Sequence, residues 1–291
     1  MSEEAYPSLR IVPSALAETL GDLPFAAIVR NREEFSRWLD NPPPGLRWLQ
    51  VEGMLGDIEA WTEAAHDGSH IPFDVVLSDP AAEFSGLYRL VDASAERAVR
   101  VTIPAAPGLA KAVRLAAALR LSVRVLPGQP TAEALGELRE VLEFYLHEPM
   151  VEAPIEFFHS WLAGMEGDDA ASLWMILEED PDAFQHFDAK GQARAPRTGD
   201  CVELVSSGFV KNHLDRLVAQ GRECADCPWQ QPCQGYFKWP DPAYSCEGVK
   251  QLLSDIQAAG DEIRREMASL AAGDTGAKSD LAGGAHSGAE Q

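Results

Sequence analysis

The sequence predicts an α/β protein, with a parallel sheet arranged as a partial (β/α) barrel and followed by a small α+β domain. Three observations carry this. From residue 25 to about 150, short apolar runs alternate with segments of helical periodicity, the pattern of repeated β-α units. Five such units can be counted, too few to close an eight-unit barrel. After "PMVEAP" (149–154) the composition changes, and four cysteines crowd into residues 224–246 of a chain that has five in all.

The units follow in order. "FAAIV" (25–29) reads as the first strand and "REEFSRWLD" (32–40) as its helix. "RWLQVEG" (47–53) is the second strand, and "DIEAWTEAAHDG" (57–68) is a helix ending at a glycine. "PFDVVLSD" (72–79) is the third, with the mixed segment "AAEFSGLYRLVDAS" behind it. "RAVRVTIPAA" (97–106) pairs with "GLAKAVRLAAALR" (108–120), and "LSVRVLPG" (121–128) with "TAEALGELREVLEFYLHE" (131–148). Further on, "IEFFHSWLAGM" suggests a helix, and "SLWMILEEDPDAFQHFDAKGQ" a strand, an acidic turn and a hairpin. A helix runs from the last clustered thiol through "CEGVKQLLSDIQAAGDEIRREMASL" (246–270). The expected division is 1–150, 151–270 and a polar, aperiodic tail, 271–291, too poor in apolar residues to offset its ordering entropy.

Charge narrows the function classes. The chain carries 46 acidic residues against 24 basic ones, a net charge of -22, so its mean field repels nucleic acid and anionic membranes. No run of 18 apolar residues occurs, and "MSEEAYPSLR" lacks the basic flank and apolar core of a secretory signal. A cytoplasmic location is the expectation. No glycine-rich phosphate loop, nucleophile elbow or H-E-x-x-H is present.

Cys224, Cys227, Cys233 and Cys246 have the spacing C-x2-C-x5-C-x12-C. A C-x2-C pair in a tight turn aims two sulfurs at one centre, and two returning thiolates complete either a tetrahedral set or the corners of a cubane. Ligand identity alone does not separate zinc from iron and sulfide. An odd count of cysteines at one end of an acidic chain fits metal ligation better than an extracellular disulfide framework.

The segment "ECADCPWQQPCQGYFKWPDPAYSCEGVKQLL" resembles the SPASM extension of radical SAM enzymes that modify peptides, whose core reads C-x2-C-x5-C-x3-C with a later cysteine. "SLWMILEEDPDAF" with "DAKG" is also similar to peptide-modifying members. The resemblance implies one auxiliary 4Fe-4S cluster on Cys224, Cys227, Cys233 and Cys246, with zinc as the alternative. Phe237 stands where a second cluster would draw a cysteine, and Gly208 is followed five places on by His213 where the family has G-x4-C. It therefore implies one cluster, not two.

Radical SAM catalysis also needs a C-x3-C-x2-C loop after the first strand. Here "FAAIV" passes through "RN" almost directly into its helix, and no cysteine precedes Cys201. The three thiolates and open iron that reduce S-adenosylmethionine cannot be assembled in this half, so no S-adenosylmethionine is expected. The resulting expectation is a non-catalytic subunit with a degenerate barrel, partnering a radical SAM enzyme, a peptide substrate or both in a hetero-oligomer that matures a ribosomally made peptide or protein. Two others are a single-cluster electron-transfer protein, with Trp229, Tyr236, Phe237 and Trp239 tuning the centre, and a structural domain stapled by metal.

The remaining candidates have plainer readings. Cys201 reads as a buried thiol and His66 and His70, flanking Asp67 and Gly68, as a solvated loop rather than a zinc pair. His147 beside Glu148, and His159 near Phe157, Phe158 and Trp161, suit a helix end and aromatic packing better than proton transfer. Glu178, Glu179, Asp180 and Asp182 read as a solvated acidic turn around Pro181. Arg97, Arg100, Lys111, Arg114, Arg120 and Arg124 either share one face or lie on separate ones.

Overall fold

The computed structural model describes residues 8–164, 171–198 and 208–280, with side chains to residue 270. In chain order the first half is β1 (Leu9–Pro13), α1 (Ser14–Ala17), β2 (Phe25–Val29), α2 (Arg32–Asp40), β3 (Leu46–Glu52), α3 (Ile58–Ala64), β4 (Phe73–Val76), α4 (Pro80–Glu83), α5 (Val91–Glu96), β5 (Val99–Pro104), α6 (Leu109–Ala118), β6 (Ser122–Leu126) and α7 (Ala132–His147). A 3-10 turn at Phe84–Leu90 joins α4 to α5. The second half has β7 (Ile155–Glu156), α8 (Phe158–Gly164), α9 (Leu173–Ile176), β8 (Phe184–Phe187), β9 (Ala193–Arg194), α10 (Phe209–Ala219), α11 (Gln230–Cys233) and α12 (Glu247–Asp280). No helix among the described residues is long and apolar enough to cross a membrane.

Side-chain oxygens start three of the longer helices where the sequence placed them. Asn31, Asp57 and Thr131 accept the backbone N–H of Glu34, Ala60 and Ala134, each satisfying a donor the first turn leaves open.

The nine strands of the described residues form one sheet in the order β7-β6-β5-β4-β3-β2-β1-β8-β9, parallel throughout except for the antiparallel β8–β9 hairpin. The protein is thus α/β around a large, mostly parallel sheet. Each strand from β1 to β7 lies beside its successor, so the crossover chain never reverses direction across the sheet.

Alternation along the strands divides its two faces. Phe25, Ala27, Val29, Leu49, Val51, Phe73, Val75, Val101, Ile103, Val123 and Val125 join the main core with buried residues of α2, α3, α6, α7, α8, α9 and α12. The intervening positions, Gln50, Asp74, Arg100, Thr102, Ser122 and Arg124, face the other way. A parallel sheet covered by helices on both sides reads as continuous apolar sequence. This one alternates between apolar and polar because helices cover one face only. Among the described residues the opposite face has only a small apolar cluster of Ile11, Ala26 and Ile28 against Leu9, Trp48 and Phe184.

Two elements differ from the sequence reading. The first strand among the described residues is Leu9–Pro13, ahead of "FAAIV"; five residues that end in a proline carry too short a pattern to mark it. "SLWMI" is helical at Leu173–Ile176, where a strand was expected, because Ser172 caps it through the Met175 N–H and Leu173 and Trp174 are fully buried. The expected hairpin is present as β8–β9, and it joins the main sheet through β1. The last helix continues past residue 270 to Asp280. Cys201 lies outside the described residues.

Candidate metal centre

The cysteine segment is bound to the body of the protein at several points. Gln129, in the turn after β6, donates to the carbonyls of Phe237 (3.0 Å) and Asp241 (2.8 Å), while Tyr244 donates its hydroxyl to the Pro130 carbonyl at 2.7 Å. Trp174 Nε1 donates to Gln234 O at 3.1 Å. Tyr236 and Phe237 are at most 1% exposed and belong to the main core, as do Val249, Leu252, Leu253 and Ile256 of α12. Gly248 lets α12 approach α7, since a Cβ there would meet Leu135 Cδ1 at 2.5 Å.

Within the segment, Cys227 N–H donates to Cys224 O at 3.3 Å, closing the C-x2-C turn, and Gln230 Nε2 donates to the same carbonyl at 2.9 Å. Cys233 ends α11, after which Gln234 and Gly235 adopt left-handed backbone (φ 47° and 73°) and turn the chain into the core. Only glycine suits position 235: a Cβ would stand 2.7 Å from Leu217 Cδ1 and 3.2 Å from the His213 ring. Cys246 lies immediately before α12.

All four cysteines are free thiols lining one cavity of about 20 Å³, with Glu223, Trp229, Gln230, Phe237, Lys238, Val249 and Lys250 among its other walls. Burial pushes the Cys233 thiol up to about 11 and Cys246 up to about 12, and raises Cys224 as well. Repulsion among the sulfurs adds to these shifts: Cys224 and Cys227 act on Cys233, and Cys233 and Cys224 act on Cys246. Among the described residues no three His, Cys, Asp or Glu side chains form a set that could hold a metal ion as they stand. The thiols share a cavity without closing on a single point.

The sequence reading passed over the charged groups of this cavity. Lys238 is 4% exposed, its ammonium 2.6 Å from Glu223 Oε1 and also donating to the Tyr244 carbonyl. Lys250 Nζ lies 2.6 Å from Glu223 Oε2, and Cys246 N–H donates to Glu223 Oε1 at 3.1 Å. The only signal in the sequence is adjacency, Glu223 to Cys224 and Lys238 to Phe237. Burial would raise the Glu223 carboxyl, but the bonds from Lys238, Lys250 and Cys246 outweigh it and bring it down to about 2.

A second charged cluster fills the face that carries no helices. Asp74 accepts from Arg124 Nη2 at 2.6 Å, Arg100 Nη2 at 2.8 Å and Thr102 Oγ1 at 2.5 Å. Glu178 accepts from Arg100 at 2.6 and 2.8 Å and from Arg124. Glu178 has left-handed backbone, φ 58°, a strained conformation for a non-glycine residue. Cavities of about 380 and 410 Å³ flank this layer, the first lined by Gln50, His186 and Arg197, the second by Arg47, Trp48 and Glu156. Burial opposes ionisation of Asp74, yet Arg124 and Arg100 hold its carboxyl below the usual range. Both depressed carboxylates have the same linkage sign. Their folded-state values lie below the unfolded ones, so each contribution is complete above the ordinary carboxylate range and is lost as pH falls through the folded value, which for Glu223 is about 2. Urea midpoints measured from pH 7 downward should begin to fall as pH passes the ordinary 6.5 of histidine, because burial holds His186 and His213 neutral, and should fall further below about 4.5 as the two carboxylates lose their ionised state.

The other candidates separate. Arg100 and Arg124 share the helix-free face, whereas Arg97 pairs with Asp67 at 2.6 Å, Arg114 with Glu140 at 3.0 Å and Arg120 with Glu152 at 3.6 Å, and Lys111 is exposed. The acidic turn is not a solvated loop at its first two positions: Glu178 joins the buried network, and Glu179 pairs with Arg197 at 3.2 Å. His66 and His70 take different partners, the carbonyls of Thr62 and Glu96. His147 pairs with Glu143, and His159 Nδ1 lies 2.8 Å from the Tyr145 hydroxyl. His213 is 3% exposed, bonds to the Gly235 carbonyl at 3.1 Å and is edge-on to Trp174 and Trp239. Burial lowers its pKa, and its contacts make it a support for the turn after Cys233.

No family model matches the chain, and no curated protein and no solved structure matches it either.

Proposed function

We propose that this chain is a non-catalytic iron-sulfur subunit that assembles with a separate radical SAM enzyme in the maturation of a ribosomally made peptide or protein. It resembles a degenerate radical SAM partial barrel joined to a SPASM-like module, and one 4Fe-4S cluster is held by Cys224, Cys227, Cys233 and Cys246. The observation that carries the reading is the convergence of those four thiols on one cavity, in a chain with no cysteine before residue 201.

The residues fit such a group. The donor set is all sulfur, and the one carboxylate nearby, Glu223, is already taken up by two ammonium groups. A single zinc ion with bonds of about 2.3 Å would draw its sulfurs to about 3.8 Å from one another. A cubane would instead spread the four thiolates over four irons. When bound, the cluster supplies one-electron redox capacity and cross-links the segment from Cys224 to Cys246. The raised thiol values mean that the site must release protons to bind metal. The polar network on the helix-free face, and the cavities beside it, leave the sheet suited to holding a ligand or partner rather than a reductive centre.

The test is anaerobic purification of the full chain alone and together with a radical SAM enzyme that carries C-x3-C-x2-C. Bound iron and inorganic sulfide in equal amounts, and a stable complex with that enzyme, are expected. Zinc in place of iron, formation of 5'-deoxyadenosine by the chain alone, or absence of any complex would overturn the reading.

A further inference from the structure

The cavity lined by the four cysteines has an unbalanced charge in its walls: two ammonium groups, Lys238 and Lys250, share the single carboxylate of Glu223. Lys238 is the more telling, because it is 4% exposed and a lysine so buried is costly unless it meets negative charge. Its bonds to Glu223 and the Tyr244 carbonyl aim it at the cavity wall, while Glu223 divides its two oxygens between the lysines. With neutral thiols the wall carries a net positive charge, part of it on Lys250, which is 33% exposed and reached by water. Four thiolates around an iron-sulfur core supply the missing negative charge, and supply more of it in the reduced state than in the oxidised one.

We infer that Lys238, clamped by Glu223 and assisted by Lys250, is the counter-cation of the cluster and stabilises its reduced form. The inference rests on the cluster assignment made above. The step concerned is uptake of one electron by the oxidised cluster from an external one-electron donor, with no bond made or broken at the lysines. A fixed cation in a poorly solvated wall favours the state with the additional negative charge, so the midpoint potential is higher than the same four thiolates would give without it. Lys238 is a positioning residue here: it lines the same cavity as the four cysteines and would act on the cluster through them.

The experiment is a dithionite redox titration, followed by EPR, of the full chain purified with its cluster. Lys238→Gln should move the midpoint to more negative potential, and Lys238→Arg, which keeps the charge, should restore it toward the parent value. Lys250→Gln should shift it in the same direction but less, because that side chain is 33% exposed and screened by water. An unchanged midpoint in Lys238→Gln, or an equal fall in Lys238→Arg, would overturn the inference. Should Lys238→Gln not retain its cluster, Lys250→Gln decides alone, and no shift there counts against the idea. Iron and sulfide are assayed first in the parent chain. Their absence refutes the cluster assignment and this inference with it, whereas their presence with unmoved potentials refutes only the role of the lysines.

Discussion

Replacing both Cys224 and Cys246 with alanine is expected to remove the iron and sulfide that the proposed cluster would contribute, while leaving most of the helical circular dichroism of the chain intact. The two halves of that result have different causes. A cubane left with two thiolates loses half of its protein ligands, and the two substitutions take one cysteine from the C-x2-C turn and one from the start of α12, so both sides of the cavity are opened. Helix α12, by contrast, is docked without help from metal. Tyr236, Phe237, Val249, Leu252, Leu253 and Ile256 are each at most 1% exposed. At roughly 1.5–3 kcal/mol for each buried apolar side chain, their burial contributes on the order of 10 kcal/mol as an upper estimate. Limited proteolysis should accordingly show new cleavage between residues 225 and 245 and none within 247–260. Loss of the whole α12 signal would mean that the centre is a structural staple after all.

Arg124→Ala should destabilise the protein by about 3–5 kcal/mol, because it leaves Asp74 in a buried site with one of its two cations gone. Arg124 is 8% exposed in its side chain and holds both Asp74 and Glu178, so its removal breaks the network at its centre. The double variant Asp74→Ala/Arg124→Ala should be less destabilised than the sum of its single changes, since the uncompensated charge disappears with its partner. Urea denaturation of the three variants, with m-values compared, measures this directly. A loss below about 1 kcal/mol for Arg124→Ala would place the network among surface ion pairs in worth, contrary to its burial.

Much of the first half was legible because most of its β-α units announce themselves twice, once through the period and once through a side-chain cap. "REEFSRWLD" is helical at Arg32–Asp40 and "FAAIV" a strand at Phe25–Val29, with Asn31 between them supplying the cap. Leu9–Pro13 escaped because a short strand acquires its identity from neighbours, here β2 on one side and β8 on the other, and not from its own five residues. The acidic turn was misjudged for a related reason. Glu178 and Glu179 look solvated in a run of carboxylates, and only the fold brings Arg100, Arg124 and Arg197, from distant stretches of the chain, to meet them. At the candidate metal centre the four thiols line one cavity, but their spacing says nothing about Lys238, which is identified by the wall it enters.

The pairing of Leu9 with Phe184 and of Ile11 with His186 has a consequence for synthesis. While the protein is emerging from the ribosome, its first strand can find β2 almost at once, yet the opposite flank of that strand stays bare until the segment beyond residue 180 has been translated. A nascent chain stalled before that point therefore displays an unpaired β edge at its amino end, and chaperones that shield such edges should engage it there.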